Sequence, residues 1–494
     1  MDRQNSSNTV QVFWVSLGSL FSFGFVLISS MILSRYFSKE DYGTYKQVLY
    51  VYGTLLAVFT LGLPKAFSYY LPRVPLSEAK SLIKKLTNLF FLLGSIFSLL
   101  LFVFSGQIAV FLKNPDLELA LKFFSPVPLL MLPTMGLEGI LATYRKTQFL
   151  TIYKICTSVF ILLCVSIPVV FFNCGYIQAI IGFVVASFFV FLLAIYLKYL
   201  PVKNAGNEKN HLTYNEIFKF SLPLLYASLW GLLFNSADQF FISRYFGTEV
   251  FAEFSNGSME LPFVGMIIGA CATVLSPVFS RLSHESVDVK KEIYPLWISV
   301  FEKTAKLIYP LLLYCWFFAD VLMVVLYGDM YENSSIYFRI KSFVNFFTII
   351  VYAPLIISIG KTKYYSQTIM YWTIILIILE YISVLTIESP YVITSISTFC
   401  MIGTIFTMLS MVAKFFDVQI YRLFPIKLML KIVLPSIAIL FILRYVFANL
   451  CSLNNLLVIF ASFVSYITIF YILSFPLKID YKSIVKPLVR MYKR

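Results

Sequence analysis

Three charged side chains stand deep inside long apolar runs of a chain that keeps most of its charge in short connecting segments: Lys65, Glu138 and Asp238. Lys65 lies eight residues before Arg73, about 12 Å from that polar boundary at 1.5 Å per helical residue. A lysine stem covers only part of that distance, so snorkelling alone does not bring its ammonium to water. A charge facing lipid at mid-bilayer costs at least about 2.5–3.5 kcal/mol, so the position needs a reason. Lys65 either binds phosphate in a water-filled cavity, pairs with a buried carboxylate, or reaches water at the kink that Pro64 introduces. Asp238 lies six residues before Arg244. With Ser228, Gly231, Asn235 and Gln239 it forms a small and polar stripe at helical spacing. Such a stripe suits proton or sodium coupling or sugar binding, and equally a seam of inter-helix hydrogen bonds. Glu138, between Gly136 and Gly139, is a coupling carboxylate or the partner of Lys65. Arg339 and Lys122 stand near span ends, where they attract phosphate or sit at the interface. Arg35 and Arg244 close equivalent runs, as helix-end anchors or as a gate.

The elements that must position these residues are membrane helices. The chain has 494 residues, 60% of them hydrophobic and only 13% charged, with a mean hydropathy of +0.84. Apolar runs long enough to cross a hydrocarbon core of about 30 Å recur from end to end. Fourteen candidate spans are legible, and the fold class is an all-α polytopic membrane protein. Ser34-Arg35-Tyr36-Phe37 recurs as Ser243-Arg244-Tyr245-Phe246, 209 residues later. Span 1 thus corresponds to span 7, and an even number of intervening helices puts both halves in the same orientation. Two parallel six-helix repeats plus an appended helix pair follow, the pattern of transporters with parallel internal repeats. The expected division is 1–200 for the first half, 201–217 for a polar linker, 218–413 for the second half, 414–476 for the appended pair and 477–494 for a basic tail.

The basic residues orient the chain. With the N-terminus cytoplasmic, 28 Lys and Arg fall in inside segments and eight in outside ones, which is the expected bias and leaves both termini inside. The net charge of +15 therefore belongs to membrane topology, and no nucleic-acid partner is implied. Seven Cys without a CxxC pair and two His, His211 and His284, leave almost nothing for a metal centre or a histidine-based triad. Gly360-Lys361-Thr362 ends like a phosphate-binding loop, but Leu355 stands where its first Gly would be and no strand precedes it. No catalytic residue, cofactor or metal is expected, and the chain does not read as an enzyme.

Taken in order, several motifs resemble one family. Leu33-Ser34-Arg35-Tyr36-Phe37 runs on to Asp41-Tyr42-Gly43. Leu61-Gly62-Leu63-Pro64 and Tyr69-Tyr70-Leu71-Pro72-Arg73 come next. Leu326-Tyr327-Gly328-Asp329-Met330-Tyr331 follows span 9, and Gly360-Lys361-Thr362-Lys363 follows span 10. Together they resemble the bacterial polysaccharide flippases, the O-antigen and capsule repeat-unit translocases of the multidrug/oligosaccharidyl-lipid/polysaccharide exporter superfamily. That resemblance implies a multi-pass protein of the bacterial cytoplasmic membrane working by alternating access. Its substrate would be a glycan on undecaprenyl pyrophosphate, its coupling ion H+ or Na+, and its neighbours the polysaccharide polymerase machinery. Lys65 departs from the family pattern, in which the residue after Gly-Leu-Pro is usually small or apolar. A lipid II flippase and a cation or drug exporter of the same superfamily are the alternatives.

Overall fold

In hydrocarbon every backbone N–H and C=O must be satisfied within the segment, so apolar runs of this length fold as helices. The structure, a computed structural model, describes residues 8–206, 208–284, 289–349, 352–449 and 454–481. Residues 1–7, Cys451 and the basic tail after Tyr481 lie outside the described residues. Helices are the regular elements throughout, and no strand occurs among the described residues.

The chain separates into two compact units, Met1–Ala252 and Glu253–Arg494. The first contains α1 (Asn8–Tyr36), α2 (Lys39–Phe59), α3 (Pro64–Tyr70), α4 (Leu76–Val103), α5 (Ser105–Phe111), α6 (Asp116–Phe124), α7 (Pro126–Met131), α8 (Leu137–Thr143), α9 (Thr147–Phe172), α10 (Tyr176–Tyr199) and α11 (Tyr214–Tyr245). The division falls inside α12 (Gly247–Gly257). The second holds α13 (Pro262–His284), α14 (Val289–Phe317), α15 (Ala319–Tyr327), α16 (Ser334–Ser342), α17 (Asn345–Thr348), α18 (Ala353–Ser358), α19 (Thr362–Thr386), α20 (Pro390–Phe416), α21 (Ile426–Asn449) and α22 (Asn455–Ser474).

Ten described helical segments are long and apolar enough to cross a membrane, and two bent pairs raise the number to twelve. One pair breaks between Tyr226 and Ser228, by 40°, and the other between Phe317 and Ala319, by 76°. The spans expected at 254–280 and 336–358 coincide with α13 and with the short pieces α16, α17 and α18. The count among the described residues is therefore ten to twelve, against fourteen expected. The protein is a multi-pass membrane protein.

Unit 1 is built by α1 against α9, α9 against α10, and α4 against α7. Leu137, Leu141, Leu150, Ala194 and Leu197 form a buried cluster where α8, α9 and α10 meet. α11, the first helix of the expected second half, packs on α2 and belongs to unit 1 by its contacts. In unit 2, α19 pairs with α20, while α21 and α22 lie against each other and against α14 and α15 respectively.

The second span is a helix in two pieces, and its break matters for the site. α2 ends at Phe59 and α3 resumes at Pro64. Leu61 and Gly62 both take left-handed backbone, at φ 48° and 69°. Pro64 then starts α3, where its missing N–H costs no helical hydrogen bond. A Cβ on Gly62 would stand 2.7 Å from the Ser221 carbonyl oxygen of α11, so the turn is both strained for other residues and tightly covered.

Candidate functional site

Charged and polar side chains gather at two ends of unit 1. The first is the end carrying the 201–213 linker. There α3 continues into a 3-10 turn, Leu71–Arg73. Lys65, Tyr69 and Arg73 stand at i, i+4 and i+8, on one face of this element. All three are exposed within their unit. No hydrogen bond or ion pair holds Lys65 among the described residues. Glu138 is on α8, the helix packed against α3. It too is exposed, and its carboxylate lies 4.0 Å from the Lys154 ammonium. The Lys65–Glu138 pairing is thus not formed, and Lys65 stands on an open face.

The other side of α3 is locked. Phe67 is fully buried and stacks on Phe90 of α4, with centroids 6.3 Å apart and planes within 6°. Lys198 of α10 is buried as well. Its ammonium lies 4.9 Å from the Phe67 ring centroid and 3.4 Å from Thr87 Oγ1. Its contacts reach Phe67 of α3 and Phe90 and Thr87 of α4 from α10, so this lysine is packed where the three helices meet. Gly136, at φ 80°, admits Phe67: a Cβ there would fall 2.0 Å from the ring. The rigid back of α3 fixes the direction in which Lys65 points.

The linker is strapped along the first turns of α4. Ser77 Oγ donates to Glu208 at 2.8 Å, Asn210 Nδ2 donates to Glu78 at 2.9 Å, and Lys85 donates to the Leu212 carbonyl. Glu216 closes a capping box with Thr213 at the start of α11. The carboxylates near this end of unit 1 therefore already have partners.

The opposite end holds the second cluster. Asp238 is 2% exposed and accepts the Gln239 backbone N–H at 2.8 Å. Asn235, one turn away, is exposed and Gln239 half-buried, so the predicted stripe divides between a packed and an open face. The packed face meets α2. Gln47 Nε2 donates to Ser243 at 2.8 Å, Asn114 Nδ2 donates to Gln47 at 2.6 Å and to Thr44 at 2.9 Å, and Tyr50 donates to the Ser236 carbonyl at 3.4 Å. Lys46 donates to Ser30 at 3.1 Å. The serine of the repeated Ser-Arg-Tyr-Phe phrase is thus an acceptor in a buried network. Its arginine, Arg244, donates to the Phe111 carbonyl and lies over that ring. Arg244 and Lys122 line one cleft of about 680 Å³, together with Gln107, Phe111 and Glu118. Lys122 is paired with Glu118 at 2.7 Å. Arg35 is exposed at the end of α1.

In unit 2, Arg339 is engaged: Nη2 lies 3.1 Å from Asp320 Oδ1 and Nε donates to the Trp316 carbonyl at 3.1 Å. Arg444 bonds the other oxygen of Asp320. One carboxylate thereby ties α15 to α16 and to α21. Among the described residues no group of three or more His, Cys, Asp or Glu side chains could hold a metal ion.

Over residues 32–336 the sequence matches the family described as "Polysaccharide biosynthesis protein". The chain belongs to that family. Its fold is shared with solved transporters. A "Lipid II flippase MurJ, inward closed conformation" superposes with a TM-score of 0.73 at 16% identity, covering 96% of this chain and 99% of that one. An inward-facing multidrug resistance MATE family transporter of the MOP superfamily gives 0.65 at 12% identity, covering 82% and 99%. A MOP superfamily transporter from Pyrococcus furiosus gives 0.58 at 13%, covering 83% and 95%. None of the curated proteins matches by sequence.

For this member of the polysaccharide biosynthesis family, sequence reasoning missed Lys46, Lys198 and Asp320. In the charge census Lys46 counts as one of the eight outside basic residues, in a connecting segment. A signal was available: Ser38 caps α2 by accepting the Asp41 N–H at 3.1 Å, and Ser-Lys-Glu-Asp is a helix start with acidic residues in its first turn. That start puts Lys46 two turns inside the helix. Lys198 carried no such signal, because the apolar run before it ends just where a loop lysine would stand.

Proposed function

We propose that the chain is a flippase that carries a polyprenyl-pyrophosphate-linked oligosaccharide repeat unit across the bacterial cytoplasmic membrane, for assembly of a surface polysaccharide. The observation that carries this reading is the open face of α3. It presents Lys65 within a membrane span, exposed, unpaired among the described residues and far too costly to leave facing lipid. Such a cation needs an anionic partner that comes and goes, and a lipid pyrophosphate is one. Membership of a polysaccharide biosynthesis family and the transporter fold support the same reading. In this reading both termini are cytoplasmic, α3 stands at the cytoplasmic side and the Arg244–Lys122 cleft at the outer side. Asp238 serves as the carboxylate for H+ or Na+ coupling, and the translocated unit passes to polymerase machinery.

The likeness to a lipid II flippase along nearly the whole chain supports a second reading with lipid II as cargo. Removal of the gene separates the two. The proposed function predicts viable cells that lack surface polysaccharide and accumulate lipid-linked repeat units on the cytoplasmic face. Cell lysis with a block in peptidoglycan synthesis would favour lipid II, and unchanged surface glycan would end the first reading.

A further inference from the structure

Arg73 is held in an arrangement that neither fold nor family explains. Its guanidinium carbon lies 3.5 Å from the centroid of the Tyr69 ring. The Tyr69 ring is itself stacked on Phe220 of α11, with centroids 4.1 Å apart and an interplanar angle of 23°. Tyr70 meets both rings edge-on, at 4.8 Å and 5.5 Å, and its hydroxyl donates to the Glu216 carbonyl at 3.1 Å. The result is a three-layer stack of phenylalanine, tyrosine and guanidinium, braced by a second tyrosine. It removes Tyr69 as a platform for a sugar ring, because both of its faces are taken.

The stack has another use. A guanidinium seated over a ring still has N–H groups directed away from that ring, and such a fork matches two phosphate oxygens. No carboxylate or carbonyl bonds Arg73 among the described residues. The nearby acidic groups are engaged elsewhere: Glu208 with Ser77, Glu78 with Asn210, Glu216 with Thr213. Lys65 stands two turns along on the same face, also uncompensated.

We propose that Arg73, seated on Tyr69 and backed by Phe220, is a pyrophosphate-capturing site at the linker end of unit 1, which receives the lipid-linked cargo before Lys65 does. This rests on the lipid-linked-glycan reading above, and it assigns recognition to the pyrophosphate rather than to the sugars.

The test is direct binding to the purified full-length protein in nanodiscs, with polyprenyl pyrophosphate, inorganic pyrophosphate, polyprenol and phosphatidylglycerol as probes. Arg73→Ala and Arg73→Lys should each weaken polyprenyl pyrophosphate binding about tenfold or more, as expected for loss of a bidentate charged contact. Tyr69→Phe keeps the stack and should bind like wild type, whereas Tyr69→Leu should weaken binding several-fold. Inorganic pyrophosphate should compete, while polyprenol should not. Wild-type affinity in Arg73→Ala, full rescue by lysine, or equal competition by phosphatidylglycerol would each overturn the proposal. Arg73 is exposed, so an unchanged unfolding midpoint in Arg73→Ala shows that the loss is one of binding. The two readings fail separately. Unchanged surface glycan in the gene deletion with weakened pyrophosphate binding in Arg73→Ala removes the flippase and keeps the site. Lost glycan with unaltered binding does the reverse.

Discussion

Cells carrying Lys65→Ala are expected to lose surface glycan almost completely while the protein reaches its normal level in the membrane. The two halves of this expectation come from the two faces of α3. Lys65 is on the open face, where its removal breaks no bond among the described residues and leaves no cavity. Surface substitutions of that kind usually change stability by less than about 0.5 kcal/mol. The lost contact with a phosphate, by contrast, is a charged hydrogen bond of about 1.5–3 kcal/mol, which is roughly tenfold to more than a hundredfold in binding. Lys65→Arg keeps the cation and should retain most display. Lys65→Glu places a carboxylate against the phosphate and should be at least as defective as alanine. Quantifying surface polysaccharide against protein level checks all three.

The largest structural effect is expected at Gly136. Its left-handed backbone, at φ 80°, is disfavoured for every other residue apart from asparagine and aspartate. In addition, alanine would drive a Cβ to 2.0 Å from the Phe67 ring. Backbone strain of about 1–3 kcal/mol and overpacking of about 1–3 kcal/mol act at one point. Phe67 cannot yield easily, because Phe90 and the Lys198 ammonium hold its ring. Gly136→Ala should therefore lower the unfolding midpoint by several degrees and reduce the amount of protein in the membrane. The surviving molecules should transport poorly, since moving Phe67 turns the short helix that carries Lys65. A thermal unfolding curve like that of wild type would show that this back wall is softer than its geometry states.

Much of this was legible from residue order alone, for physical reasons that can be named. Helices and their approximate limits follow from apolar length. The break in span 2 follows from Leu-Gly-Leu-Pro, because glycine reads as left-handed backbone and proline as a helix start. The candidacy of Lys65 follows from the cost of a charge in hydrocarbon. Partners were not legible. Lys65 and Glu138 do stand on adjacent helices, yet the carboxylate turns to Lys154, and only side-chain directions in three dimensions decide such a choice. Arg339 reads in sequence as a cation that attracts phosphate or sits at the interface, yet Asp320, 19 residues earlier, holds it and gives its other oxygen to Arg444, 105 residues after Arg339. Arg35 and Arg244 are equivalent in the repeat. Nothing in that equivalence told that Arg244 would meet Lys122 in one cleft, since the segment carrying Lys122 has no marked copy in the second half. Tyr69 stands one turn beyond Lys65 in the sequence, but its use as a shelf for Arg73 depends on Phe220, 151 residues further along.

The most direct measurement is the initial rate at which purified protein, reconstituted in liposomes, moves a labelled polyprenyl-pyrophosphate-linked oligosaccharide from one leaflet to the other. The proposed function predicts transfer well above that of empty liposomes under an imposed proton or sodium gradient, and a return to background with Lys65→Ala. Transfer no faster than in empty liposomes under either gradient, or equal transfer by wild type and Lys65→Ala, would contradict it.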